Sequence, residues 1–150
     1  MLITLFVLST LPFVLADVPV EVFSPLIAQK SLATFHALPS PIEYPQYTDA
    51  TGHWMYFAPY IWTSAFFPSS LYLLNTRAKL CGATASSDLG RSDWLKLARS
   101  ASTALAFLND SRLKHDVGFI SEPFVKELHV WVSGFPPSHR FVLRHSAMCC

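Results

Sequence analysis

The chain has 150 residues, 51% hydrophobic and 14% charged, a balance that excludes an intrinsically disordered polypeptide and suffices for one domain with its own core. A formal net charge of +1 offers no field for nucleic acid and no polybasic patch for a membrane surface. Twelve Phe, five Tyr and four Trp supply a ring surface that calls for either a core or a ligand groove.

Residues 1–16 form a short apolar run ending Val14-Leu15-Ala16 before Asp17, the pattern of a secretory signal peptide. The run is shorter than the ~20 residues of a membrane span. The expectation is a secreted, extracellular chain with no membrane association after cleavage; the competing reading is a buried N-terminal helix. Secretion permits disulfides, but three cysteines, Cys81 and the terminal pair Cys149 and Cys150, make a poor framework. A bridge from Cys81 to one of the other two stays open. With no CxxC pair, no HExxH and six scattered histidines, no metal site is indicated. Asn109-Asp110-Ser111 is a glycosylation sequon and marks a surface loop.

Residues 17–38 read as a helix on the spacing of Val22, Leu26, Ile27, Ala33 and Ala37, with Pro19 near its start and Pro25 able to move that start later. Residues 39–52, with three prolines, Tyr44, Tyr47 and Asp49, read as an extended aromatic loop, and 54–59 is dense in rings and ambiguous. A helix follows over 62–80, capped by Ser64 and burying Phe67, Leu71, Leu74 and Ala78. Residues 81–90 are a small, polar surface loop. Ser92 or Asp93 caps the next helix, whose inward stripe is Trp94, Leu97, Ala98, Ala101, Leu105 and Leu108. Residues 122–130 begin a further helix, and helical periodicity is lost after His129. No strand alternation stands out, so the expected fold is all-α.

Two positions draw attention as chemistry. Asp116, in His115-Asp116-Val117-Gly118-Phe119, is a carboxylate between an imidazole and a glycine, but acid–base work needs a second titratable group facing it. Locally the more ordinary reading is a turn begun by Asp116 and completed by Gly118, with Phe119 returning to the core. Trp62 can stack on a sugar ring, as can Trp54, Tyr56 and Tyr60, although an indole in an apolar stretch is more often core. Thr63 and Ser64 read as caps rather than nucleophiles because no base stands near them.

The run WTSAFFPSSLYLL at 62–74, followed after an intervening helix by HDVGF at 115–119, resembles the opening of the unsaturated glucuronyl hydrolases, glycoside hydrolase family 88. The resemblance covers roughly 39–119. It implies a six-hairpin (α/α)6 toroid, present here only in part. It also implies that Asp116 is catalytic, and that His115 and Trp62 bind substrate. The implied partner is a 4,5-unsaturated uronic-acid oligosaccharide. The implied reaction is protonation at C4 and addition of water at C5, after which the hemiketal opens, with no metal or organic cofactor.

Several features depart from the pattern. Ala65 and Ser69 replace family glycines, 81–93 looks like an insertion, and no family pattern continues beyond Ile120. The second catalytic acid has no match; Glu122 and Glu127 are acids by position only. A toroid of six hairpins needs on the order of 250 residues, whereas this chain supplies roughly three or four helices at ~11–12 residues each. The expectation is therefore an N-terminal portion of such a domain over 17–120, with apolar faces left exposed and 121–150 a divergent tail, non-native or disordered. Such a chain is expected to be inactive. The alternative is a non-catalytic secreted fragment or carbohydrate-interacting protein. The sequence leaves the oligomeric state open.

Overall fold

The computed structural model describes residues 24–106, 108 and 116–133. In chain order these form α1 (Leu26–His36), β1 (Tyr44–Thr48), β2 (Trp54–Phe57), α2 (Phe66–Leu80), α3 (Trp94–Ser102) with a 3-10 turn at Thr103–Leu105, α4 (Val117–Ile120) and α5 (Glu122–Ser133). The signal-peptide run, the Asn109 sequon, His115, Cys149 and Cys150 lie outside the described residues. Cys81 is disulfide-bonded.

The fold is predominantly helical, in line with the expected class, with one short strand pair added to the helices. The loop expected over 39–52 and the ambiguous stretch 54–59 fold into an antiparallel hairpin pairing Tyr44 with Phe57, Pro45 with Tyr56, Tyr47 with Met55 and Thr48 with Trp54. Tyr, Trp and Phe favour extended backbone. Pro45, which cannot donate to a ladder, is tolerated because a two-stranded sheet is all edge and because the register slips between Pro45 and Tyr47. The connection is fastened by Asp49, whose Oδ1 accepts from the Thr51 and His53 amides at 2.9 and 3.0 Å and from the Thr51 hydroxyl at 2.7 Å. Those bonds, the Thr51 hydroxyl foremost, hold the Asp49 carboxyl below the usual carboxylate range. Gly52 closes the turn at φ +88°, a conformation that costs other residues energy.

Helix boundaries follow local chemistry. Pro25 occupies the N-cap position of α1, so among the described residues the helix begins one residue later, at Leu26. Ser64 does not cap α2: it is buried, donates its hydroxyl to the Ala58 carbonyl at 3.0 Å, and leaves Ala65 at the N-cap position. Pro68 sits in the first turn of α2, where a missing N–H is harmless. Asp93 caps α3 by accepting from the Lys96 amide at 3.0 Å. The described part of 121–150 is the helix α5, which runs three residues past Val130.

Two apolar clusters organise these elements. Ala28 of α1, Leu71, Tyr72 and Leu74 of α2, and Trp94, Ala98 and Ala101 of α3 form the larger. Tyr44, Ala65, Leu105 and Ile120 form the smaller, which joins the hairpin to the start of α2, the 3-10 turn after α3 and the end of α4. Helix α5 packs on α2 yet leaves Phe124, Val125, Leu128, Trp131 and Val132 exposed. No described helix is long and apolar enough to cross a membrane.

Candidate functional site

The chain approaches α2 through successive turns: the Ile61 amide donates to Ala58 O, Ser64 to Ile61 O and Phe66 to Thr63 O. This winding sends Ser64 and Ala65 inward and leaves Trp62 and Phe66, one helical turn apart, on the outside. Their rings meet edge to face at 5.6 Å. Across from them α4 presents Phe119, 5.8 Å from Trp62 and 6.1 Å from Phe66, again in T-shaped contacts. The three rings are exposed to 46%, 43% and 48% for Trp62, Phe66 and Phe119, so this cluster is a surface and not a core. Each T-shaped contact covers a face of one ring with the edge of another, and the surface that stays exposed offers the electron-rich π system that the polarised C–H groups of a sugar stack on.

Asp116 takes the N-cap position of α4 with helical backbone angles, φ −79° and ψ −3°, and its carboxyl makes no cap bond. The expected Asp-to-Gly turn is therefore corrected to a helix start. Gly118 lies inside α4 at ordinary φ, and Ile120 rather than Phe119 returns to the core. The fold thus brings the 62–74 segment against the described part of 115–119. Asp116 is half-buried one turn before Phe119. Phe66 and Phe119 complete the ring face; from the sequence Phe66 was not singled out and Phe119 was expected in the core, and the i, i+4 spacing of Trp62 and Phe66 around the small Ala65 was the available signal. Trp54 and Tyr60 are also exposed, while Tyr56 and Thr63 are half-buried.

Several other described acids hold structural posts. Asp88 accepts from the Gln29 amide at 2.7 Å and pairs with Arg91, and Glu122 pairs with Lys126 along α5. Glu127 is the most engaged: Arg99 grips it through Nη2 at 2.6 Å and Nε at 3.1 Å, and the Tyr72 hydroxyl donates to it at 2.8 Å. One carboxylate thereby ties α5 to both α2 and α3. Arg99 holds the Glu127 carboxyl below the usual glutamate range, while burial first, and Glu127 second, push the Tyr72 phenol up to about 12. Among the described residues no group of three His, Cys, Asp or Glu side chains is placed to hold a metal ion.

The Glu127 contact has a definite pH signature. Its carboxyl is depressed in the folded chain, so the stabilisation is full above the ordinary glutamate value of 4.5 and fades as pH falls through the depressed folded value. With Glu127 exposed to 22% and Arg99 to 50%, solvent screening limits the effect to about 1 kcal/mol. Urea denaturation of Glu127→Gln is expected to show a loss of that size at neutral pH that shrinks towards pH ~3; a pH-independent loss would mean that packing rather than charge holds α5.

No family model, no curated protein and no solved structure matches the chain.

Proposed function

We propose that this chain is a secreted carbohydrate-binding protein related to the unsaturated glucuronyl hydrolases. In this reading it holds a 4,5-unsaturated uronic-acid oligosaccharide on the Trp62 face without hydrolysing it. The observation that carries it is the meeting of Trp62, Phe66 and Phe119 as half-exposed rings, with Asp116 one turn before Phe119 in the chain, since these residues come from the two segments on which the family resemblance rests. Trp62 stacks on the unsaturated ring, and Asp116, with His115 by resemblance, meets the polar edge of the sugar. In the hydrolases the acid at the Asp116 position works with a second carboxylate. Here Glu122 and Glu127, the acids next along the chain, are taken by Lys126 and by Arg99 with Tyr72. Binding without turnover is the function this arrangement supports best.

Titration of the chain with an unsaturated glucuronyl disaccharide, followed by tryptophan fluorescence, is expected to give a saturable change. Trp62→Ala should weaken it about tenfold, equivalent to ~1.4 kcal/mol of stacking and contact. Absorbance of the C4=C5 bond should stay constant over the same period. A wild-type chain that fails to bind overturns the proposal. Turnover that disappears in Asp116→Asn overturns its non-catalytic part and makes the chain an active hydrolase.

A further inference from the structure

A cleft of about 280 Å³ opens between α1, the hairpin and the start of α2. Its wall includes Lys30 and Thr34 from α1, Gln46 from β1, Trp54 from β2, and Thr63 and Phe66 at the start of α2. The Trp54 indole is fixed by donating Nε1–H to the Thr34 hydroxyl at 3.2 Å, yet it remains substantially exposed, so one large aromatic wall is oriented and open. Around it stand an amide, hydroxyls and one ammonium group, donors and acceptors of the kind that read sugar hydroxyls. The described wall contains no carboxylate, and Lys30 has no ion-pair partner among the described residues. A cation unpaired among the described residues, in a described wall without acids, favours an anionic guest. The volume, near the ~300 Å³ lower end of small-ligand pockets, fits a single ring and not a long chain. Phe66 borders both this cleft and the Trp62 ring face, so the two are adjoining parts of one surface.

We propose that this cleft is a second saccharide subsite that takes an internal uronate unit of the oligosaccharide, with Trp54 as its stacking wall and Lys30 as the contact for the carboxylate. The proposal builds on the reading of the Trp62 face as the subsite for the terminal unsaturated sugar. Its consequence is a length preference: a ligand that reaches both places gains from both, and a disaccharide reaches only one.

The test compares an unsaturated uronate disaccharide, the matching tetrasaccharide, and a tetrasaccharide whose internal carboxylate has been reduced to the alcohol, each titrated calorimetrically. The tetrasaccharide is expected to bind about tenfold tighter than the disaccharide, the increment of one good charge-assisted contact plus stacking. Lys30→Gln, Trp54→Ala and carboxyl reduction should each remove most of that gain and leave disaccharide affinity unchanged. Lys30 is an exposed residue of α1, so Lys30→Gln is expected to fold as the wild type does. Disaccharide binding with no gain for the tetrasaccharide, or a gain indifferent to Lys30 and Trp54, overturns the subsite and leaves the ring-face reading standing. Tetrasaccharide binding that depends on Lys30 while the disaccharide fails to bind supports the cleft and overturns the ring face. Failure of both ligands overturns both.

Discussion

Trp94→Ala is expected to lower the folding free energy by about 3–5 kcal/mol, the range for emptying a large aromatic site in a core. Trp94 opens α3 and is 2% exposed, packed in one cluster with Leu71, Tyr72 and Leu74 of α2 and with Ala98 one turn along its own helix. Its indole N–H also donates to the Leu89 carbonyl at 2.6 Å, which fastens the long α2–α3 connection to the core it spans. Truncation therefore leaves a cavity and an acceptor without its donor, two costs that add. Trp94→Phe reduces the cavity cost without removing it, since it keeps a six-membered ring in the site but loses the indole N–H and part of the ring volume, with an expected cost of about 1–3 kcal/mol. Urea unfolding followed by far-ultraviolet circular dichroism measures both, with an unchanged m-value showing that stability and not compactness has shifted. Domains of this size have only about 5–15 kcal/mol in hand, so the alanine variant should be partly unfolded at modest temperature. A loss below ~1 kcal/mol would show that α2 and α3 are not held together through this ring. Trp94 is remote from the exposed rings in burial and cluster, so Trp94→Phe should still bind sugar at low temperature.

What the sequence disclosed and what it hid divide along physical lines. Helices α2 and α3 were legible because Leu71, Leu74, Trp94, Ala98 and Ala101 recur at the period of a helix buried on one side. Asp93 was legible as a cap because a short acid before an apolar helix has one favourable use. The hairpin was illegible for the opposite reason. Of β1 only Tyr44 is buried, and β2 is exposed or half-exposed throughout, so no burial alternation is written into the residues. Ser64 looked like a cap, but a serine just before a helix can equally donate to a preceding carbonyl, and tertiary burial decided the matter.

The candidate site shows the same division. Trp62 and Asp116 stood out by motif, whereas Phe119 was placed inside by a turn reading. Once the backbone at Asp116 is helical, each residue advances ~100° around the axis, and the inward position passes from Phe119 to Ile120. The meeting of Phe119 with Trp62 and Phe66 is a tertiary event between distant segments, and no local pattern encodes it. The cleft beside Trp54 depends on the unseen hairpin and was hidden with it.

Tyr44 is where stability and the candidate site are most closely joined, and Tyr44→Ala is expected to cost about 3–5 kcal/mol. The side chain is 1% exposed, and its hydroxyl donates to the Ala101 carbonyl at 2.6 Å. Ala101 lies in the last turn of α3, and the phenol gives its carbonyl a side-chain donor that ties the hairpin to that helix end. Burial pushes the phenol well above its usual range, which keeps it a donor at any ordinary pH. Its ring packs with Ala65, which lies between Trp62 and Phe66, and with Ile120, which follows Phe119. The Tyr44 cluster is thus the backing of the exposed ring face. Tyr44→Phe should retain that backing and lose about 1–3 kcal/mol for the orphaned carbonyl, with disaccharide affinity close to wild type. Tyr44→Ala should lose more stability and also loosen the contact between α4 and the start of α2, so that affinity falls even for the folded fraction. Urea denaturation and fluorescence titration on the same preparations decide it. Equal losses of stability in the two variants would mean that the hydroxyl alone matters and the ring does not support the face. Unchanged affinity in a folded Tyr44→Ala would mean that Trp62, Phe66 and Phe119 hold their geometry without it.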